Sequence, residues 1–226
     1  MTTPNDSLDF YPTPDSLAFD MVFSLREVKS GFTTYPKPIL EPSAGDGALA
    51  RQVHALAFNV HHDHKTGEVD QYDKEKAKSA ELDCIELSSD FRAVLKKDGF
   101  RVVHDNFLTF RPTTKYAAIV MNPPFSAGAA HLLKALDVMQ DGGKIRCLLN
   151  AETLRNPCTN ERKELAAKLE ELHATVKYIP DAFKSARRAA RVEVALVSVD
   201  IPDREPVSRI RLDLKSETAE RLKENP

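Results

Sequence analysis

Residues Ile39 to Val53 read ILEPSAGDGALARQV. A short apolar run meets an acidic residue, then a turn holding two glycines, then apolar residues at helical spacing. A strand that hands the chain to a helix through such a turn is the ligand-binding corner of an open α/β sheet. Gly45 and Gly47 permit backbone angles and a close ligand approach that a Cβ would block, and Pro42 and Ser43 help to turn the chain. Two glycines fit poorly with the three-glycine cradle of a dinucleotide pyrophosphate, and no Lys-Ser or Lys-Thr pair follows to hold a triphosphate. Glu41, at the carboxyl end of the run, would repel phosphates and attract an ammonium group.

Outward from this corner, short apolar runs alternate with longer helical patterns, the signature of repeated strand-helix units. Strands are predicted at Lys37–Pro42, Leu82–Leu87, Phe100–Asp105, Tyr116–Met121, Lys144–Leu149, Ala174–Ile179 and Arg191–Asp200. Helices are predicted at about Pro14–Glu27, Gly47–Leu56, Ser89–Lys97, Gly128–Gln140 and Asn160–Leu172, where apolar residues recur at helical spacing. The last two strands are joined by PDAFKSARRAA, too short for a crossover helix, so they form an antiparallel pair at one edge. The fold class expected is α/β, a doubly wound, Rossmann-like, seven-stranded and mostly parallel sheet with an antiparallel terminal hairpin.

A chain of 226 residues, 42% of them hydrophobic, suits one packed domain, expected over 1–201 with a charged extension over 202–226. Residues 59–80 are almost all polar and interrupt the alternation, so they read as a mobile insertion. His61, His62 and His64 lie on that one loop without a spaced partner, and no metal site is expected. Cys84, Cys147 and Cys158 lack metal spacing and read as reduced structural residues. The N-terminus has no basic start followed by an apolar stretch, and no apolar window reaches membrane-helix length, so an intracellular, cytoplasmic protein is expected, away from membranes. A net charge of -2 gives a polyanionic partner no general support, and any nucleic-acid contact must rest on a local patch.

The other strand ends carry polar chemistry too. Glu86 and Leu87 close the second strand, where a carboxylate can accept from both ribose hydroxyls. The gap from Gly47 is longer than the usual ~20 residues, and the insertion supplies the excess. The third strand ends in HDNFL, where Asp105 can accept from an adenine amino group and Asn106 and Phe107 can pack beside the ring. S-adenosylmethionine carries an ammonium, a sulfonium and no phosphate, so it suits a corner guarded by Glu41.

The fourth strand runs straight into Asn122-Pro123-Pro124-Phe125. The two prolines fix φ and remove two backbone donors, which holds their carbonyls outward. A planar amino group has its lone pair delocalised and is a poor nucleophile. The Asn122 side-chain oxygen and the Pro123 carbonyl can accept its two hydrogens and draw the nitrogen toward tetrahedral geometry. A neutral amide cannot hold the proton, so proton loss to water follows transfer. Phe125 offers a face on which a purine can stack.

NPPF after an apolar strand resembles the catalytic motif of DNA adenine-N6 methyltransferases, which belong to the class I S-adenosylmethionine-dependent methyltransferases. The order is also that family's: FYPTP from Phe10 to Pro14, then EPSAGDG, IEL, DNF and NPPF, and the resemblance extends from Phe10 to about Val199, closest to compact enzymes of phages and mobile elements. It implies a cofactor site of Phe10, Tyr11, Thr13, Pro14, Glu41, Pro42, Ser43, Gly45, Gly47, Glu86, Leu87, Asp105, Asn106, Phe107 and Asn122, with Asn122, Pro123, Pro124 and Phe125 catalytic. It also implies a target base flipped out of the duplex. The hairpin region beside the base pocket supplies Phe183 as a second ring, with Lys184, Arg187, Arg188 and Arg191 for phosphates. His131, on the helix after the motif, reads as a helix-packing residue. Family members usually carry a sizeable target-recognition region, and this chain offers only the insertion and the tail. A partner subunit or a further domain would fill that gap. RNA adenine and a protein glutamine amide are alternative targets, and a cofactor-binding subunit without chemistry of its own is a third reading.

Overall fold

The computed structural model describes residues 11–63, 65–69, 73–183 and 192–202. The predicted sheet is present: seven strands in the order β5-β4-β3-β6-β7-β9-β8. They span Ile39–Glu41 (β3), Leu82–Ile85 (β4), Arg101–His104 (β5), Tyr116–Met121 (β6), Met139–Asn150 (β7), Thr175–Ile179 (β8) and Val194–Asp200 (β9). β3 pairs in parallel with β4 and β6, while β9 inserts antiparallel between β7 and β8.

Burial explains why the strands differ in composition. Every residue of β3, β4 and β6 is buried, because helices cover both faces of the central sheet and polar alternation would leave unsatisfied groups inside. The edge strands β5 and β8 have no fully buried residue, and they carry Arg101, Thr175 and Lys177.

Successive strand residues feed opposite cores. Ile39, Ala118 and Val120 join one core with Leu17, Met21 and Val22 of helix α1 (Asp15–Phe23) and Leu49 and Val53 of α2 (Ala48–Val53). Leu40, Ile119 and Met121 join the other with Leu132, Ala135 and Val138 of α5 (Gly128–Val138) and Leu165 and Leu169 of α7 (Asn160–Glu171). Between these in the chain come α3 (Lys74–Ser79), α4 (Ser89–Lys97) and the one-turn α6 (Glu152–Arg155). The chain runs β3, β4, β5 toward one edge and then returns to β6 beside β3, so the switch point lies over the carboxyl ends of β3 and β6.

Three departures from the sequence reading have local causes. The first helix stops at Phe23 rather than continuing to Glu27, and β1 (Glu27–Lys29) and β2 (Phe32–Thr34) form a separate hairpin. Ser30 and Gly31 both take positive φ between them, the requirement of a tight two-residue hairpin turn. β7 starts at Met139, so α5 ends at Val138 instead of Gln140.

The insertion is more than a polar loop. α2 continues into a wide helical turn over His54–Phe58, α3 follows at Lys74–Ser79, and Val60, Val69 and Ala77 form a small apolar cluster of their own. Buried His54 anchors it: its Nδ1 lies 2.8 Å from His62 Nε2, and both rings pack on Phe100, His62 stacked and His54 tilted. His64 and the extension beyond Pro202 lie outside the described residues.

Candidate active site

One cavity of about 560 Å³ opens at the switch point, within the usual range for small-molecule sites. Its wall draws on all five segments picked out in the sequence: Tyr11 and Thr13, the run from Glu41 to Gly45, Glu86 and Leu87, Asp105 to Phe107, and Asn122 to Phe125.

The glycine corner is built by backbone geometry and one carboxylate. Gly45 and Gly47 both take positive φ. The Gly45 N–H donates to Glu86 Oε2 at 2.7 Å, and the Ser88 N–H donates to Glu86 Oε1 at 2.7 Å. Glu86 thus ties the ends of β3 and β4 together and keeps its remaining lone pairs for a ligand. Gly47 is not among the residues lining the cavity. A Cβ there would meet Leu95 Cδ2 at 3.0 Å and Arg51 Nη1 at 3.1 Å, so the glycine serves helix packing.

Glu41 is 1% exposed and its Oε2 has no hydrogen-bond partner among the described residues, nor has the shielded Ser43 Oγ. Burial, reinforced by Asp46 and Glu86, pushes the Glu41 carboxyl well above its ordinary range. Two orphan acceptors in a cavity wall are the complement of a ligand's N–H groups. These residues therefore fit the ammonium-bearing S-adenosylmethionine expected from the sequence.

Asn122 is fixed at the opposite wall. Its Nδ2 donates to the Tyr11 carbonyl at 2.9 Å and to Thr13 Oγ1 at 3.1 Å. Both amide hydrogens are spent on the N-terminal segment, which leaves Oδ1 as the acceptor for anything entering the cavity. The Pro124 carbonyl accepts the Ala127 N–H at 3.0 Å and starts the turn into α5.

Phe125 is half-buried, and Tyr11 stacks on it with ring centroids 5.2 Å apart and planes 20° apart. Phe183 closes the trio edge-on to Phe125 at 5.9 Å. It is fully buried and packs against the other two rings from the core.

Pro14 also stands apart from the cavity, capping α1 with its carbonyl on the Ala18 N–H. Asp105 lines the cavity, yet its side chain is largely exposed, 3.3 Å from His104 Nδ1. Phe107 is buried in the second core and also lines the cavity. Phe10, Lys184, Arg187, Arg188 and Arg191 lie outside the described residues.

The sequence reading missed Asp46, Ser88, Phe91 and His131 as lining residues. Ser88 was findable as the hydroxyl that opens α4, where it accepts the Phe91 N–H. His131 donates from Nδ1 to the Ala127 carbonyl at 2.9 Å, and burial holds it below its ordinary pKa, so a neutral ring lies in the wall. Asn150 at the end of β7, and Glu152 and Arg155 after it, are not among the cavity-lining residues; Arg155 pairs with Glu193 and covers the Tyr178 ring. Among the described residues there is no cluster of three or more His, Cys, Asp or Glu placed to hold a metal ion, and no helix long and apolar enough to cross a membrane.

The architecture is that of the class I methyltransferases. Solved structures with this fold include a type I restriction-modification methyltransferase subunit from Streptococcus thermophilus, 18% identical with a TM-score of 0.59 over 85% of this chain and 44% of that one. The 23S rRNA methyltransferase ErmE is 16% identical with a TM-score of 0.54, over 87% of this chain and 73% of its own. The glycopeptide N-methyltransferase MtfA, complexed with S-adenosyl-L-homocysteine, is 16% identical with a TM-score of 0.51, over 86% of this chain and 92% of its own. At such identities the likeness is one of fold. No family model matches the chain, and no curated protein matches it.

Proposed function

We propose that this chain is an S-adenosylmethionine-dependent methyltransferase acting on the exocyclic amino group of adenine in nucleic acid, with DNA the first substrate to test. The observation that carries the reading is the state of Asn122: both amide hydrogens are committed to Tyr11 and Thr13, so its oxygen is left as acceptor in the same cavity as Glu41 and Glu86. A target that offers two N–H donors on a planar nitrogen fits that oxygen and the Pro123 carbonyl.

The bound cofactor would supply an electrophilic methyl group. Glu41 and Ser43 would hold its ammonium, Glu86 its ribose, and the Asp105–Phe107 segment its purine. Asn122 and Pro123 would orient the target nitrogen, and Phe125 would bear on the ring that carries it. The flat aromatic surface beside the acceptors favours a nucleobase over an aliphatic amide.

The test is incubation with tritiated S-adenosylmethionine and separate DNA, RNA and protein pools, followed by nucleoside analysis. N6-methyladenosine or its deoxy form is the expected product. Label confined to protein would refute the nucleobase target, and label in RNA alone would refute DNA. The S. thermophilus subunit is more than twice as long as the matched portion. A requirement for a partner or further domain is therefore part of the proposal, and activity that appears only with such a partner would support it.

A further inference from the structure

Three carboxylates stand at the glycine corner in unlike surroundings. Glu86 receives backbone N–H donors on both oxygens. Asp46 Oδ1 accepts the Ala48 N–H at 3.2 Å and lies 4.0 Å from Arg51 Nη2. Glu41 is the most enclosed of the three, and its Oε2 and the neighbouring Ser43 Oγ have no partner among the described residues. An ionised carboxylate left unpaired at such a place costs several kcal/mol, and a protonated one far less.

The groups around Glu41 push both ways. Asp46 and Glu86 disfavour its charge, Arg51 and the Ala50 backbone favour it, and burial outweighs them all. From β4, Cys84 also faces it, and burial keeps that thiol protonated well above its ordinary range. Enclosed, with Oε2 unpartnered among the described residues and two carboxylates nearby, Glu41 is driven toward its protonated form when no ligand cation is present.

We infer that entry of the cofactor's ammonium group onto Glu41 and Ser43 expels the Glu41 proton, so that cofactor binding releases one proton to solvent. The carboxyl O–H bond breaks, its electron pair stays on the carboxylate, and the proton leaves to buffer. The carboxylate then accepts from the ligand's N–H, and no covalent bond to the ligand forms. The corner consequently selects ligands that carry their own cation, because only these stabilise the ionised form. The inference rests on the cofactor reading above.

Titration calorimetry of the whole chain with S-adenosylhomocysteine, which has the ammonium but no sulfonium, tests it. At pH 7 the heats in phosphate and in Tris should differ by about one proton's worth of buffer ionisation, and affinity should rise up to about tenfold per pH unit between pH 6 and pH 7. 5′-Methylthioadenosine, which lacks the ammonium, should exchange no proton, and neither should Glu41→Gln binding S-adenosylhomocysteine. Ser43→Ala should bind more weakly while still releasing the proton. The wild-type comparison decides: equal heats in the two buffers with binding intact would overturn the proton release and leave the cofactor reading standing. Absence of binding by both S-adenosylhomocysteine and S-adenosylmethionine would overturn the cofactor reading itself.

Discussion

His54 is buried and resists protonation, and its environment shapes how the insertion responds to acid. It is 1% exposed, bonded to His62 and packed 4.6 Å from the Phe100 ring. Burial first, and the neighbouring His62 second, lower its pKa to about 3. The unfolded chain takes up this proton near pH 6.5, while the folded state refuses it until about pH 3. A depressed histidine of this kind leaves stability intact above about pH 6.5 and lowers it by about 1.4 kcal/mol per pH unit below that. Between pH 7 and pH 5 His54 alone should therefore remove about 2 kcal/mol. His62, also lowered chiefly by burial, adds in the same direction.

Glu41 acts oppositely through that window, since a carboxyl with a raised folded pKa gains stability as pH falls. The raw acid response is thus a sum of opposing parts, and the informative quantity is the difference between wild type and His54→Leu. Urea denaturation followed by far-UV circular dichroism suits a chain without tryptophan. The stability gap between the two proteins should move by about 2 kcal/mol in favour of His54→Leu on going from pH 7 to pH 5. A gap that stays constant to within about 0.5 kcal/mol would refute the buried, neutral His54–His62 pair.

Three further outcomes follow from the site. Asn122→Ala should lower turnover by about 10² to 10³, the usual loss for one preorganised polar group, and should weaken cofactor binding only a few-fold through Tyr11 and Thr13; unchanged turnover in a single-turnover assay would remove Asn122 from the chemistry. Gly47→Ala should cost about 1 kcal/mol or more from its positive φ alone, read as a lower midpoint in urea, with cofactor affinity per folded molecule unchanged. Phe183→Ala should cost about 3 to 5 kcal/mol as a core cavity, whereas Phe183→Leu should keep the fold and alter target binding through Phe125; a fold insensitive to both would contradict its full burial.

The sheet was readable because central and edge strands obey different burial rules. Ile39–Leu40 and Tyr116–Met121 are apolar without alternation, as doubly covered strands must be, and their positions fix where the glycine corner and the NPPF turn emerge. The cavity wall was legible where an apolar strand ends on a polar residue, a glycine or a proline. What escaped were tertiary contacts that no local sequence pattern announces. Nothing near His54 or His62 in the chain announces that they pair, since the contact depends on Gly67 and Phe100 arriving from elsewhere. Phe183 reads as a second stacking ring beside a basic stretch, yet it is buried against Tyr11 and Phe125, partners far away in the sequence. The Ser30-Gly31 turn was a readable signal, although the predicted helix ran to Glu27, the first residue of β1.

The choice of asparagine at position 122 is constrained by its surroundings as much as by its target. Its two donors satisfy the Tyr11 carbonyl and Thr13 Oγ1, and an ionised carboxylate has no hydrogen to offer either. A carboxylate there would also join a cavity that already holds Glu41, Asp46 and Glu86, in which Glu41 is driven toward its neutral form. Asn122→Asp should therefore loosen the N-terminal segment from the cavity and weaken S-adenosylhomocysteine binding more than Asn122→Ala does, with partial recovery on acidification as the new carboxyl protonates. Recovery is the diagnostic result, because a role limited to accepting from the target would make the aspartate at least as good an acceptor at high pH. Equal cofactor affinity in Asn122→Asp and wild type across pH 5 to 8 would show that the amide donors do not hold the wall, and that Oδ1 alone matters at this position.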